Sequence, residues 1–175
     1  MTHLMPIGQV DADAVERLLD RAFGRDRHGR TAYLLRAGTQ AIAALSFAAL
    51  DGDELLGTIQ CWPVWFTGDG DGNSDRNGRA RVPLVLVGPV AVAPERQQNG
   101  VGRLLMQTAL AATDADDALM LIGDPEYYGR FFGFSAERTA NWRLPGPVEH
   151  RRLLARGHDV PTGAGVIGPR VTADA

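Results

Sequence analysis

Two glycines, Gly100 and Gly102, stand one residue apart in the stretch "ERQQNGVGRLL", just ahead of an amphipathic run. The first backbone N–H groups of a helix lack intrahelical acceptors and carry the positive end of its dipole. Glycine at that point lets an anion reach those amides without a Cβ in the way. It also costs about 1 kcal/mol per glycine in intrinsic helix stability. The stretch is therefore either a tight turn or a place where a ligand approaches the backbone closely. Two familiar phosphate-binding patterns do not fit. A phosphate loop requires a Gly-Lys-Ser/Thr ending, which is absent, and the dinucleotide fingerprint requires a third glycine where Leu105 stands. What remains is Gln97-Gln98-Asn99-Gly100-Val101-Gly102.

The rest of the composition removes several kinds of chemistry. All 18 basic residues are arginine, so no Schiff-base lysine, phosphate-loop lysine or lysine base is available. Cys61 is the only cysteine, which excludes an intrachain disulfide and a multi-cysteine zinc site. Its apolar setting, "LLGTIQCWPVWF", predicts a packed strand thiol rather than a nucleophile. His3, His150 and His158 show no metal-ligand spacing with one another, and no metal is expected. Asp69, Asp71, Asn73 and Asp75 imitate the start of a calcium loop. Ser74 then replaces its turn glycine and Ala80 its bidentate glutamate, so a solvated hairpin loop is predicted. A net charge of −3 carries no nucleic-acid footprint. No apolar run has membrane-spanning length and the N-terminus does not read as a signal peptide, so a cytoplasmic protein without membrane or nucleic-acid partners is expected.

These residues need elements to hold them. A short strand is predicted near Leu4. A helix follows over "DADAVERLLDRAFG", with Asp11 or Asp13 as N-cap and Gly24 as stop. "RDRHGR" reads as a charged loop, and "TAYLLRAG" as a short helix ending at Gly38. Two apolar runs around Asp51-Gly52-Asp53 signal a hairpin. "PLVLVGPVAVAP" is a strand whose Gly88 and Pro89 predict a bulge. The helix after the glycines should reach about Thr113, with Val101, Leu104, Leu105, Thr108, Ala109 and Ala112 on one face. "DDALMLIG" reads as a buried strand. A helix then begins at Pro125 and stops at Gly133, and residues 134–145 return to strand. Beyond Ala155 the Gly/Pro-rich chain predicts an extended or mobile tail. The strand–helix–strand order calls for a right-handed crossover between parallel strands. The architecture expected is α/β: a mixed, mostly antiparallel twisted sheet of about six to seven strands with helices on both faces.

The six residues from Gln97 to Gly102 resemble the Gln/Arg-x-x-Gly-x-Gly/Ala signature of the GNAT superfamily of acetyl-CoA-dependent N-acetyltransferases. "VGPVAVAPERQ" is similar to that family's fourth strand. "LMLIGDPEYYGRFFGF" is similar to its fifth strand, next helix and closing Gly-Phe. Gly-Asp-Pro with a double tyrosine looks like the YhbS-like subgroup of predicted N-acetyltransferases. The resemblance covers most of residues 4–155, weakest at the N-terminus and strongest over 84–137, and implies a GNAT domain over 1–155 with a C-terminal extension over 156–175.

By resemblance, the co-substrate is acetyl-CoA. Its pyrophosphate would lie on the amides of Gln98, Asn99, Gly100, Val101, Gly102 and Arg103, with Gln97 as the signature polar residue. Arg103 is equally a solvated helix residue. The pantetheine arm would pair with the backbone of Val90, Ala91 and Val92, and N–H groups near Val90 would face the developing oxyanion. A tyrosine after the fifth strand serves many relatives as the acid that protonates the departing thiolate. Tyr128 and Tyr127 both map there. Tyr128 precedes Gly133 by five residues, where the commoner pattern has four, and Phe131-Phe132 replaces a single aromatic. Tyr128 is the first choice and Tyr127 the second. Asp124 and Glu126 are candidate bases, although Asp124 equally suits a helix cap; His28 lines either an acceptor cleft or the surface. The implied reaction is direct acetyl transfer to a primary amine of a small molecule or protein. A non-catalytic acyl-CoA-binding sensor is the alternative. In related dimers the C-terminal strand region pairs between subunits, which makes a homodimer an expectation here.

Overall fold

The structure, a computed structural model, describes residues 1–69, 81–97 and 99–171. It contains β1 (Thr2–Pro6), α1 (Ala12–Phe23), α2 (Thr31–Leu34), β2 (Phe47–Asp51), β3 (Glu54–Gly68), β4 (Arg81–Val92), α3 (Val101–Ala111), β5 (Leu119–Ile122), α4 (Pro125–Phe132), β6 (Trp142–Arg143), β7 (Leu153–Arg156) and β8 (Gly165–Pro169). The strands form an eight-stranded sheet in the order β1-β2-β3-β4-β5-β7, with β8 on β3 and β6 on β8. Most pairings are antiparallel; β4–β5 and β6–β8 are parallel. The mixed, mostly antiparallel sheet is the expected one, extended by strands at the C-terminal end. The chain divides into two compact units, and β3 and β4 run through both.

The first unit comprises Met1–Gly29, Ala41–Cys61 and Val87–Asp114. In it, α1 begins at Asp11, whose side chain accepts the Asp13 N–H, and ends at Gly24, which takes a positive φ of 90°. Both ends fall where the cap residues predict. The helix buries Val15, Leu18 and Leu19 against Ala91 and Ala93 of the β4 region. β2 and β3 form the predicted hairpin, closing at Asp51 and Glu54 around Gly52 (φ 59°). A register shift between Ala49 and Leu50 breaks its regular pairing. Ser46 is fully buried and accepts the Cys61 N–H at 3.1 Å.

Arg27 departs from the predicted solvated loop. It is 1% exposed and pairs with both Asp20 and Glu16 of α1. The loop therefore folds back on the helix, a choice made by two carboxylates one turn apart rather than by the loop's own composition.

The second unit comprises Arg30–Gln40, Trp62–Leu86 and Ala115–Ala175. β5, flanked by β4 and β7, is buried over Leu119, Met120 and Leu121. A continuous apolar run suits a strand covered on both faces. The helix predicted over residues 31–38 shortens to α2, with a turn carrying the chain to Gly38 (φ 73°). Within 134–145 only Trp142–Arg143 is strand.

Where an extended tail is predicted, β7 pairs with β5 and β8 pairs with Val64–Gly68 of β3. Ile167 is buried, and Arg170 donates to the carbonyls of Val64 (3.3 Å) and Leu84 (3.2 Å). Gly165 is bare because a Cβ would lie 2.5 Å from the Phe66 ring. The β3 partners of β8 are about 100 residues away, so its weak local propensity says little about its fate.

Candidate functional site

The glycine turn belongs to the first unit. β4 ends at Val92, and Ala93 donates to the Leu56 carbonyl at 2.8 Å. A single 3-10 turn, Pro94–Arg96, follows. Its flanks are tied by ion pairs: Arg21 donates to both Glu95 oxygens (2.9 and 2.7 Å), and Arg96 donates to Glu54 (3.1 Å). These are exposed pairs of small individual worth, so the turn itself rests on backbone bonds.

Gly100 is the N-cap of α3, with φ 78° and ψ 7°, and no side chain caps the helix. The first bond of α3 is Leu104 N–H to the Gly100 carbonyl at 3.0 Å. The amides between them form the helix's positive end. Asn99 uses its own N–H on the Arg96 carbonyl at 3.2 Å, which leaves its side chain as its group for a ligand. Gln97, Asn99, Gly100 and Arg103 are exposed, Gly102 is half-buried and Val101 is buried. Gln98 lies outside the described residues.

The two glycines are bare for different reasons. At Gly100 a Cβ would meet nothing within 4 Å, but the left-handed backbone calls for glycine. Gly102 has ordinary helical geometry, and a Cβ there would contact Val92 Cγ2 at 3.5 Å and Val90 Cγ1 at 3.8 Å. Those are normal packing distances. With no side chain at 102, the first turn of α3 sits close against Val90 and Val92. The uncapped amides at the start of α3 are of a kind that fits an anionic group.

The β4 segment has the matching property. Among the described residues, β4 pairs with β5 only at Val85 and Leu86. Gly88 then takes a φ of 119°, the Gly88–Pro89 peptide is cis, and Pro89 has no N–H to offer a ladder. Val90 and Val92 turn toward Gly102, while Ala91 is fully buried with its carbonyl toward Gly57. Strand and turn lie side by side at Gly102. Gly57, missed in the sequence, is what lets them.

The tyrosines sit in the second unit on α4. Asp124 caps this helix by accepting the Glu126 N–H at 3.1 Å, Pro125 fills its first position, and Gly133 ends it with φ 74°. Tyr128 lies against the end of β5: a Cβ on Gly123 would be 2.5 Å from Tyr128 Cε2 and 2.8 Å from Cδ2. Burial, and secondarily the neighbouring Tyr127, push the Tyr128 hydroxyl above its ordinary value, so it stays protonated at neutral pH. Tyr127 packs instead among rings, edge-on to Tyr128 at 5.0 Å and near Phe131 at 5.3 Å. The signal for Gly123 was visible only as a glycine closing a strand five residues before a tyrosine.

The candidate bases are otherwise engaged. Asp124 is the cap, and its carboxyl is held below the usual range by the Glu126 side chain and then the Glu126 N–H. Glu126 is exposed and accepts from Arg151 at 2.6 Å. His28 is exposed. Burial pushes the Cys61 thiol up to about 12, which removes it as a nucleophile. Asp69 accepts both Arg143 amines at 2.6 Å; the other acidic positions of the calcium-like stretch lie outside the described residues. No group of three or more His, Cys, Asp or Glu among the described residues is placed to hold a metal ion. No helix among them is long and apolar enough to cross a membrane.

The profile of the Acetyltransferase (GNAT) family matches residues 12–134. Among solved structures, a GNAT family acetyltransferase from Brucella melitensis in complex with acetyl-CoA is similar with a TM-score of 0.61 and 24% identity, over 94% of each chain. The GNAT family N-acetyltransferase YhbS from Escherichia coli, in complex with CoA, has a TM-score of 0.64 and 21% identity, over 97% of this chain and 89% of its own. The histone acetyltransferase HPA2 and related acetyltransferase from Corynebacterium glutamicum reaches 0.57 and 20%, over 93% of this chain and 99% of its own. At these identities the likeness is one of fold. No curated protein matches the chain.

Proposed function

Because the chain belongs to the Acetyltransferase (GNAT) family, we propose that it transfers the acetyl group of acetyl-CoA directly to a primary amine of a small molecule or protein. The observation that supports this reading is the opening of α3, where the left-handed Gly100 is the N-cap and no side chain caps the helix's first amides. The solved relatives from Brucella melitensis and Escherichia coli hold acetyl-CoA and CoA respectively, which supports the same ligand here.

In this reading the amides of Gly100, Val101, Gly102 and Arg103 receive the pyrophosphate at the positive end of α3. Gln97 and Asn99, both exposed, add polar groups at the rim. The backbone of Val90, Ala91 and Val92 orients the amide-bearing arm. A neutral amine nitrogen attacks the thioester carbonyl carbon, a C–N bond forms, and N–H groups near Val90 stabilise the oxygen's developing charge. The C–S bond then breaks, and the leaving thiolate takes a proton from a tyrosine hydroxyl. The amine's surplus proton leaves through a water-linked base.

Tyr128 is the acid favoured by its own surroundings. Its phenol is kept neutral by burial, and its ring is seated at the end of β5, where Gly123 makes room. Tyr127, held in an aromatic cluster with Phe131 and Phe132, is the second choice.

The test is acetyl-CoA-dependent thermal stabilisation followed by CoA release with a panel of small and peptide amines. Release with at least one amine, giving stoichiometric acetyl-amine, is expected. Binding of acetyl-CoA with no release for any amine would instead indicate a non-catalytic acyl-CoA-binding module.

A further inference from the structure

Gly57 lies in the buried part of β3, opposite Ala49 of β2, and its φ is not in the left-handed region. Its backbone conformation is therefore open to any residue. What forbids a side chain is space. A Cβ would be 2.8 Å from the Ala91 carbonyl oxygen, 2.9 Å from Val101 Cγ1 and 3.0 Å from Leu105 Cδ1. The nearest of these is backbone, which no rotamer change can move aside. The other two belong to the first residue of α3 and to the residue one turn later.

These three groups are not a random sample of the core. Ala91 is the middle residue of the β4 segment that faces Gly102 through Val90 and Val92, and Val101 follows the left-handed Gly100 directly. The adjacent residue of β3, Leu56, accepts the Ala93 N–H at 2.8 Å and so holds the exit of β4 from the same strand. Gly57 thus touches the strand and the helix start at the point where the chain passes from one to the other. A methyl group here must push the Ala91 carbonyl outward or tilt the first turn of α3. Either movement changes the separation between the β4 backbone and the amides of residues 100–103.

We infer that Gly57 is a positioning residue for the acetyl-CoA site: its missing side chain sets the spacing between the β4 segment and the amide end of α3. The inference rests on the assignment of that strand and turn to acetyl-CoA. It makes β3, which is not expected to touch the ligand, a determinant of affinity.

The experiment compares Gly57→Ala with Gly165→Ala in the full chain. Gly165 belongs to the other unit, and a Cβ there would also clash, at 2.5 Å from Phe66 and 2.7 Å from the Thr67 carbonyl. Both variants should melt at a lower temperature than the parent, which measures crowding alone. Acetyl-CoA titrated by calorimetry should show a Kd raised about tenfold or more for Gly57→Ala, and within about twofold of the parent for Gly165→Ala. Equal affinity loss in both variants, or none in Gly57→Ala, overturns the inference while leaving the acetyl-CoA assignment intact. Failure of the parent protein to bind acetyl-CoA overturns the assignment and the inference together. Should Gly57→Ala not fold, Val101→Ile crowds the same contact from the helix side and is judged by the same affinity criterion.

Discussion

The ring of Tyr128 packs against Gly123, close enough that a Cβ on Gly123 would stand 2.5 Å from Tyr128 Cε2. A strand-terminal glycine and a helical tyrosine five residues later are thus one unit. Gly123→Ala should force the ring away at an overpacking cost of about 1–3 kcal/mol. Turnover is expected to fall at least about tenfold, whereas acetyl-CoA affinity by calorimetry should be retained. Unchanged turnover would separate the ring's position from the chemistry.

Tyr128→Phe removes the hydroxyl and keeps the ring. Loss of an acid in the transition state should lower kcat by about 10²–10⁴-fold with little change in acetyl-CoA affinity. Tyr127→Phe should stay within about threefold of the parent. The reverse ranking would move the acid to Tyr127.

The Tyr128 phenol is raised above its ordinary value of 10.0, with burial as the main cause and Tyr127 next. The neutral form is the one favoured by folding. Its contribution to stability is present below pH 10 and is lost as pH rises through the raised value. Ultraviolet titration should show a phenolate step above pH 10, and Tyr128→Phe should remove that step. The alkaline fall in kcat/KM assigned to the acid should lie in the same range.

Gly100 holds a φ of 78° that a β-branched residue reaches at a cost of about 1–2 kcal/mol. Gly100→Val should therefore disturb the opening of α3. At a hundredfold excess over Kd, acetyl-CoA should stabilise the parent by about 2.7 kcal/mol. That is about 5–10 °C for a chain of this size. The shift should vanish in the variant; its persistence would disconnect the turn from the ligand.

Cys61 is 1% exposed and its thiol is pushed up to about 12. A disulfide reagent should fail to label the native protein at neutral pH and label it fully in denaturant. Fast native labelling with loss of activity would contradict the buried strand position.

Sequence alone determined the pieces whose cause is local. Asp11 and Gly24 bound α1, Asp124, Pro125 and Gly133 bound α4, and the spacing of Gly100 and Gly102 marked the turn. Caps and left-handed positions are decided by a residue and its near neighbours, so they can be read in order along the chain. Tertiary structure decided whatever depends on space shared with distant residues. Arg27 is buried because Asp20 and Glu16 face it, and β8 exists because β3 offers it an edge. Gly57 and Gly123 are bare because Ala91 and Tyr128 occupy the volume beside them. A glycine required by its own φ and a glycine required by its neighbour look the same in a sequence. Only packing tells them apart, because a hard-sphere overlap has no signature until both partners are in place.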